Sequence, residues 1–185
     1  MSEAFPHRSV WHLRLPMCWV LLIALDFCLM AFAWAQDGRT ARPQDAPSVA
    51  EVRIPAPEGV DEKSVRFEAV DIFVDSADQS LAAWQLELMS PTQDVEIVGI
   101  EGGDHPAFQN PPYYDPRAMK NNRVILGAFQ VNQENGLPTG RHRVARVHVQ
   151  VKGIGDRVWM GELTTAADAE GNPIVASIAV EKANG

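Results

Sequence analysis

A period of two constrains this chain more than any other feature. Val70, Ile72 and Val74 occupy every second position, with Asp71 and Phe73 between them. Trp84, Leu86 and Leu88 alternate with Ala83, Gln85 and Glu87. Ala145, Val147, Val149 and Val151 alternate with Val144, Arg146, His148 and Gln150. Ile174, Ala176, Ile178 and Val180 face away from Val175, Ser177, Ala179 and Glu181. Similar runs cover 94–100, 123–131 and 157–163. Successive side chains of a strand point to opposite faces, so alternation buries one face and wets the other, as antiparallel sheets require. No window carries a helical stripe with caps. The breaks hold turn residues: 75–80, Ser90-Pro91, Gly102-Gly103, Asn135-Gly136, 153–155 and Glu170-Gly171-Asn172. Eight or so short strands at this spacing predict an all-β domain over 49–185, a β-sandwich of jelly-roll or immunoglobulin-like kind. Val49–Pro57 supplies one short edge strand, because Pro55 and Pro57 bar it from a sheet interior. A long irregular insert, 102–122, interrupts the pattern, and a loop of that length reads as functional or mobile.

The first 35 residues follow another rule. Arg8 and Arg14 outweigh Glu3, residues 17–33 are almost wholly apolar, and Ala33-Trp34-Ala35 follows. A positive start, a short apolar run and an A-x-A site predict a secretory signal cut after Ala35. The run falls short of the about 20 residues that span a bilayer. Asp26 within it costs roughly 2.5–3.5 kcal/mol in a membrane. Residues 17–34 left uncut would instead be an N-terminal anchor helix, the one expected contact with a membrane. Either outcome places the domain in the periplasm, on the cell surface or outside the cell. Residues 36–48 are polar, carry two prolines and read as a flexible linker.

Both cysteines, Cys18 and Cys28, lie in this first segment, so the exported part has neither disulfide nor thiol chemistry. The formal net charge of −8 argues against nucleic acid as a partner, since phosphate binding needs a basic surface. No nucleophile turn of the G-x-S-x-G kind is present, and an enzyme is not expected; a hydrolase centred on the insert is the weakest reading. His142 and His148 stand six residues apart on one strand, roughly 20 Å, too far to share a metal. His105, near Asp104 and Asp115, matches no ligand spacing. Asp71, Asp75 and Asp78, and again Asp168, Glu170 and Asn172, lie at turns without the spacing of a calcium loop. No metal and no cofactor is expected.

Two surfaces remain as candidates for binding. Tyr113 and Tyr114 lie in a proline-bounded polar loop, where exposed rings can stack on sugars while Asn110, Asp115 and Arg117 bond hydroxyls. The competing reading is that both tyrosines pin the loop to the sandwich. Arg141, Arg143, Arg146 and His148 make one strand basic in an acidic protein, which suits an acidic partner or glycan. Charges that discourage edge-to-edge pairing would look the same. Trp84 and Trp159 read as core.

The scattered motifs VDIFVDSADQSLAAWQLEL (70–88), VEIVGIEGGD (95–104), NRVILGAF (122–129), TGRHRVARVHVQV (139–151) and ADAEGNPIVASIAV (167–180) resemble, in order, the strands and turns of a cohesin-type domain. Cohesins belong to a wider group of carbohydrate-binding-type β-sandwiches. The likeness spans about residues 65–182. It implies an exported, non-catalytic binding module that recognises a polysaccharide or a dockerin-like protein at the cell envelope. The second reading is a membrane-anchored structural or assembly component with the sandwich as scaffold.

Overall fold

A computed structural model describes residues 48–59, 61–130 and 136–184. The expected signal or anchor (1–35) lies outside the described residues, as does the linker except for Ser48. Eight antiparallel strands are described: β1 (Ser48–Ile54), β2 (Val65–Asp75), β3 (Ala83–Met89), β4 (Val95–Gly102), β5 (Arg123–Phe129), β6 (Arg141–Lys152), β7 (Arg157–Ala167) and β8 (Ser177–Lys182). They form two four-stranded sheets, in the orders β1-β7-β3-β5 and β4-β6-β2-β8. The inner faces bury Val70, Ile72, Val74, Val147 and Val149 from one sheet against Trp84, Leu86, Leu88, Leu126, Trp159 and Leu163 from the other. β1 is an edge strand, as expected, but it ends at Ile54, so Pro55 and Pro57 lie just beyond it. Among the described residues no helix is long and apolar enough to cross a membrane.

The alternation fails at several places, among them Val98 of β4 and Thr164 of β7, where one residue is extra, and two further failures change which residues face outward. Ile72 pairs with Ala145 and Phe73 with Arg143, so Val144 is an extra residue, a bulge in β6. Val144 and Ala145 are therefore both buried. The bulge resets the phase, so that Arg141 and Arg143 join Arg146 and His148 on the outer face. The second failure is the run from 174. Ile174 donates its N–H to the Ala166 carbonyl of β7 and Pro173 bridges Ala167, while residues from Ser177 onward pair with β2. The chain changes sheets here, and β8 is shorter than the apolar run that announces it.

The insert is neither loose nor unpaired. It leaves β4 and enters β5, the edge strands on one side of the sandwich, and it bonds to both. Lys120 donates to the Ile97 carbonyl and Ile97 to the Asn121 carbonyl, each within 2.9 Å. Tyr113 exchanges two backbone bonds with Gly127 at 2.7 and 3.0 Å. Two three-residue 3-10 turns shape it, Pro106–Phe108 and Pro116–Ala118, each with proline first. His105 Nδ1 and Asp115 Oδ1 accept from the backbone N–H two residues on, and so cap these turns. Phe108 is buried edge-on against Trp84, ring centres 6.1 Å apart. The entry depends on Gly102 and Gly103: a Cβ there would lie 2.1 Å from the Gln109 carbonyl oxygen or 2.2 Å from that of Arg143.

Candidate docking face

The outer side of the sheet β1-β7-β3-β5 carries an aromatic pair built by two elements. The bonds to Gly127 fix Tyr113 beside β5, and Phe129 stands two residues further along the same strand. Their rings stack with centres 5.7 Å apart and planes 11° from parallel. Tyr113 is 72% exposed and Phe129 60%. Gly127 contributes no side chain between them, which leaves a shallow pocket of about 380 Å³. Ala83, Gln85 and Thr165 complete its walls. The neighbouring outward positions continue the apolar character. Ile125 and Val49 are exposed, and half-exposed Met89 and Met160 face each other across β3 and β7. Beside them Arg123 clasps Glu87 with two bonds of 2.6 Å. The Arg123 hydrogen bond holds the Glu87 carboxyl below its ordinary range, against a small push from burial.

Of the residues singled out for sugar binding, only Tyr113 stands on this face. Tyr114, the next residue of an extended segment, is half-buried and packs on the core. Asp115 and Arg117 are exposed but engage each other through a two-pronged pair, 2.7 to 3.1 Å. Asn110 is exposed at the far end of the first 3-10 turn. The two tyrosines thus divide between outward display and pinning the loop. Phe129 and Ile125 were not singled out by sequence reasoning. Their signal was present: apolar residues stand on both faces of Arg123–Phe129, where a half-wet strand needs only one.

The basic strand lands on the outer side of the other sheet and is not basic there. Asp71, on β2, accepts from Arg146 Nε and Nη2 at 2.7 and 2.8 Å and from Arg143 at 3.5 Å. His148 reaches Glu101 at 2.9 Å. Arg141 pairs with Glu181 and lies 3.9 Å over the Phe73 ring. Burial pushes the Asp71 carboxyl up, but the bonds and charges of Arg146 and Arg143 outweigh it and hold that group below its usual range. Each of these basic side chains is thus paired with an acid from another strand of the same sheet. The reading of them as edge protection is corrected, since β6 is an interior strand.

His142 turns away from His148, and its ring meets His105 edge-on at 5.2 Å. Its Nε2 lies 3.0 Å from the Thr139 carbonyl. Among the described residues no group of three or more His, Cys, Asp or Glu could hold a metal. The acidic turns close on themselves. Asp168 accepts from the backbone of Glu170 and Asn172 and from the Asn172 amide. The Asn172 bonds lower its carboxyl below the ordinary range. Asp75 caps Ala77 in the same way.

No family model matches the sequence, and no curated protein matches it. Among solved structures, the chain is similar to a non-cellulosomal cohesin from the archaeon Archaeoglobus fulgidus, at 15% identity and a TM-score of 0.47, over 75% of this chain and 91% of that one. It is similar to a chain of a type I cohesin–dockerin complex from Clostridium thermocellum, at 15% and 0.46, over 73% and 94%. It is also similar to the seventh ScaB type I cohesin from Pseudobacteroides cellulosolvens, at 8% and 0.47, over 75% and 94%. The strand order by itself shows a two-sheet antiparallel β-sandwich.

Proposed function

We propose that this is a non-catalytic module that docks a protein partner on the outer face of β1-β7-β3-β5. The observation that carries this reading is the Tyr113–Phe129 pair. Two stacked aromatic rings stand exposed on a hydrogen-bonded sheet, beside a pocket that Gly127 leaves open. Exposed apolar surface of this kind costs solubility and is retained where something covers it. Rigid aromatics make strong anchors because they lose little conformational freedom on binding. The pocket suits an aliphatic or aromatic side chain of a polypeptide, which favours protein over polysaccharide. The resemblance of the strand motifs to cohesins points the same way, toward a dockerin-like partner. We further propose export through residues 1–35, which predicts Gln36 as the first residue of the mature chain.

The test is retention of partners from the envelope and secreted fractions on immobilised protein, with calcium and with EDTA. A protein held by the native chain and lost from Phe129→Asp supports the reading, and its loss in EDTA identifies a dockerin-like partner. A polysaccharide held in place of any protein, or a protein held equally by Phe129→Asp, contradicts it.

A further inference from the structure

The space between the sheets is apolar except at one end. There Arg66 and Glu68 of β2 and Arg157 of β7 occupy inward positions. Arg157 has no exposed side-chain surface (0%), while Arg66 and Glu68 keep 16% and 13%. Glu68 Oε1 accepts from Arg66 Nε at 2.6 Å and stands 3.4 Å from Arg157 Nη2. Arg66 Nη1 donates to the Gly153 carbonyl. Nothing among the described residues meets Arg157 Nε and Nη1, Arg66 Nη2 or Glu68 Oε2. The indole N–H of Trp159, the next inward residue of β7, is also without a partner. Asp156 lies next in sequence to Arg157, but it faces Arg53 and the Ala56 N–H.

The cluster therefore holds two cations against one anion, with more unpaired donors than acceptors. A buried charge without a counter-charge is among the most costly features a fold can carry, and each orphaned buried group calls for a partner. Water supplies hydrogen bonds but leaves the surplus positive charge. One small anion supplies both.

We propose that this end of the sandwich binds a small monovalent anion of the halide class, chloride, on the free N–H groups of Arg157 and Arg66. The enclosure of Arg157 favours a single-atom ion, and the partial exposure of Arg66 and Glu68 gives its route in. The ion would tie β2 to β7 and so reinforce the long Glu68–Arg157 contact that already joins the two sheets at this end.

The experiment uses the full-length chain in a mild non-ionic detergent, with sodium chloride exchanged for sodium fluoride at constant ionic strength. Two readouts are taken: thermal unfolding and the line width of ³⁵Cl. Binding predicts a ³⁵Cl line broadened by the protein and narrowed by bromide. It also predicts that, above the dissociation constant, each tenfold rise in chloride shifts the folding equilibrium about tenfold. Arg66→Met leaves a neutral Arg157–Glu68 pair and should lose both effects. Glu68→Gln raises the surplus charge and should shift both to lower chloride. A native chain whose melting ignores chloride and whose ³⁵Cl line matches that of Arg66→Met would overturn the proposal, leaving only water at the site.

Discussion

The two outer faces of this sandwich are made from the same alternating pattern, and their central clusters end in opposite conditions, although Val65 and Phe67 stay exposed at the start of β2 beside the charged one. On the sheet β4-β6-β2-β8, Asp71, Glu101 and Glu181 meet Arg143, Arg146, His148 and Arg141, and the charges close on one another. On the sheet β1-β7-β3-β5, Tyr113, Phe129, Ile125 and Val49 remain exposed. The face that looks sticky in the sequence is satisfied from within. The face that looks unremarkable is the open one. Charge on a strand signals binding only when the neighbouring strands leave it unpaired, and an apolar residue on the wet face needs a partner from outside.

The largest test of this contrast removes what holds Tyr113 in place. Phe108→Ala deletes a buried ring packed on Trp84 and should cost about 3–5 kcal/mol in denaturant unfolding. It should weaken docking as well, because the insert that carries Tyr113 loses its anchor. Unfolding unchanged within experimental error would mean that the insert does not bear on the core.

The closed face is opened by Asp71→Asn. Two guanidiniums then lose their carboxylate, and stability should fall by about 1.5–3 kcal/mol at neutral pH. The sign with acid follows from the lowered carboxyl. Its contribution is complete above the ordinary aspartate range, near pH 4, and is lost as pH falls through the native value. The native chain should therefore lose stability with acid more steeply below about pH 4 than Asp71→Asn. Parallel curves would show that Asp71 is not held low.

The open face should behave in the reverse way, with binding affected and stability spared. A Cβ at Gly127 would meet nothing nearer than 3.6 Å. Gly127→Ala should raise stability by about 0.5–1 kcal/mol while shrinking the pocket and weakening the partner. A loss of stability would place Gly127 among the structural glycines with Gly102 and Gly103. The smallest effect belongs to the exposed Glu87–Arg123 pair, whose coupling in a double-mutant cycle should be about 0.2–1 kcal/mol.

Much of the fold is legible in the sequence because alternation is a local property. Trp84, Leu86 and Leu88 declare their buried face, and the prolines of 55 and 57 declare an edge. The bulge at Val144 is not legible, since an extra residue leaves no mark when both Val144 and Ala145 are small and apolar. Pairing across strands is equally silent: nothing near Arg146 in the chain announces Asp71, 75 residues away. The insert hides its tethers for the same reason. The bonds from Tyr113 to Gly127 join backbones, and backbone groups are the same in every residue. Tyr113 was legible as an exposed ring, but Phe129, its stacking partner, was hidden inside a strand.

The most direct measurement is amide chemical-shift mapping of the ¹⁵N-labelled protein against the partner retained in the pull-down. Docking on the open face predicts that shifts concentrate at Ala83, Gln85, Tyr113, Gly127, Phe129 and Thr165. Shifts concentrated instead at Asp71, Arg143, Arg146 and His148 would contradict it and make the charged face the docking surface.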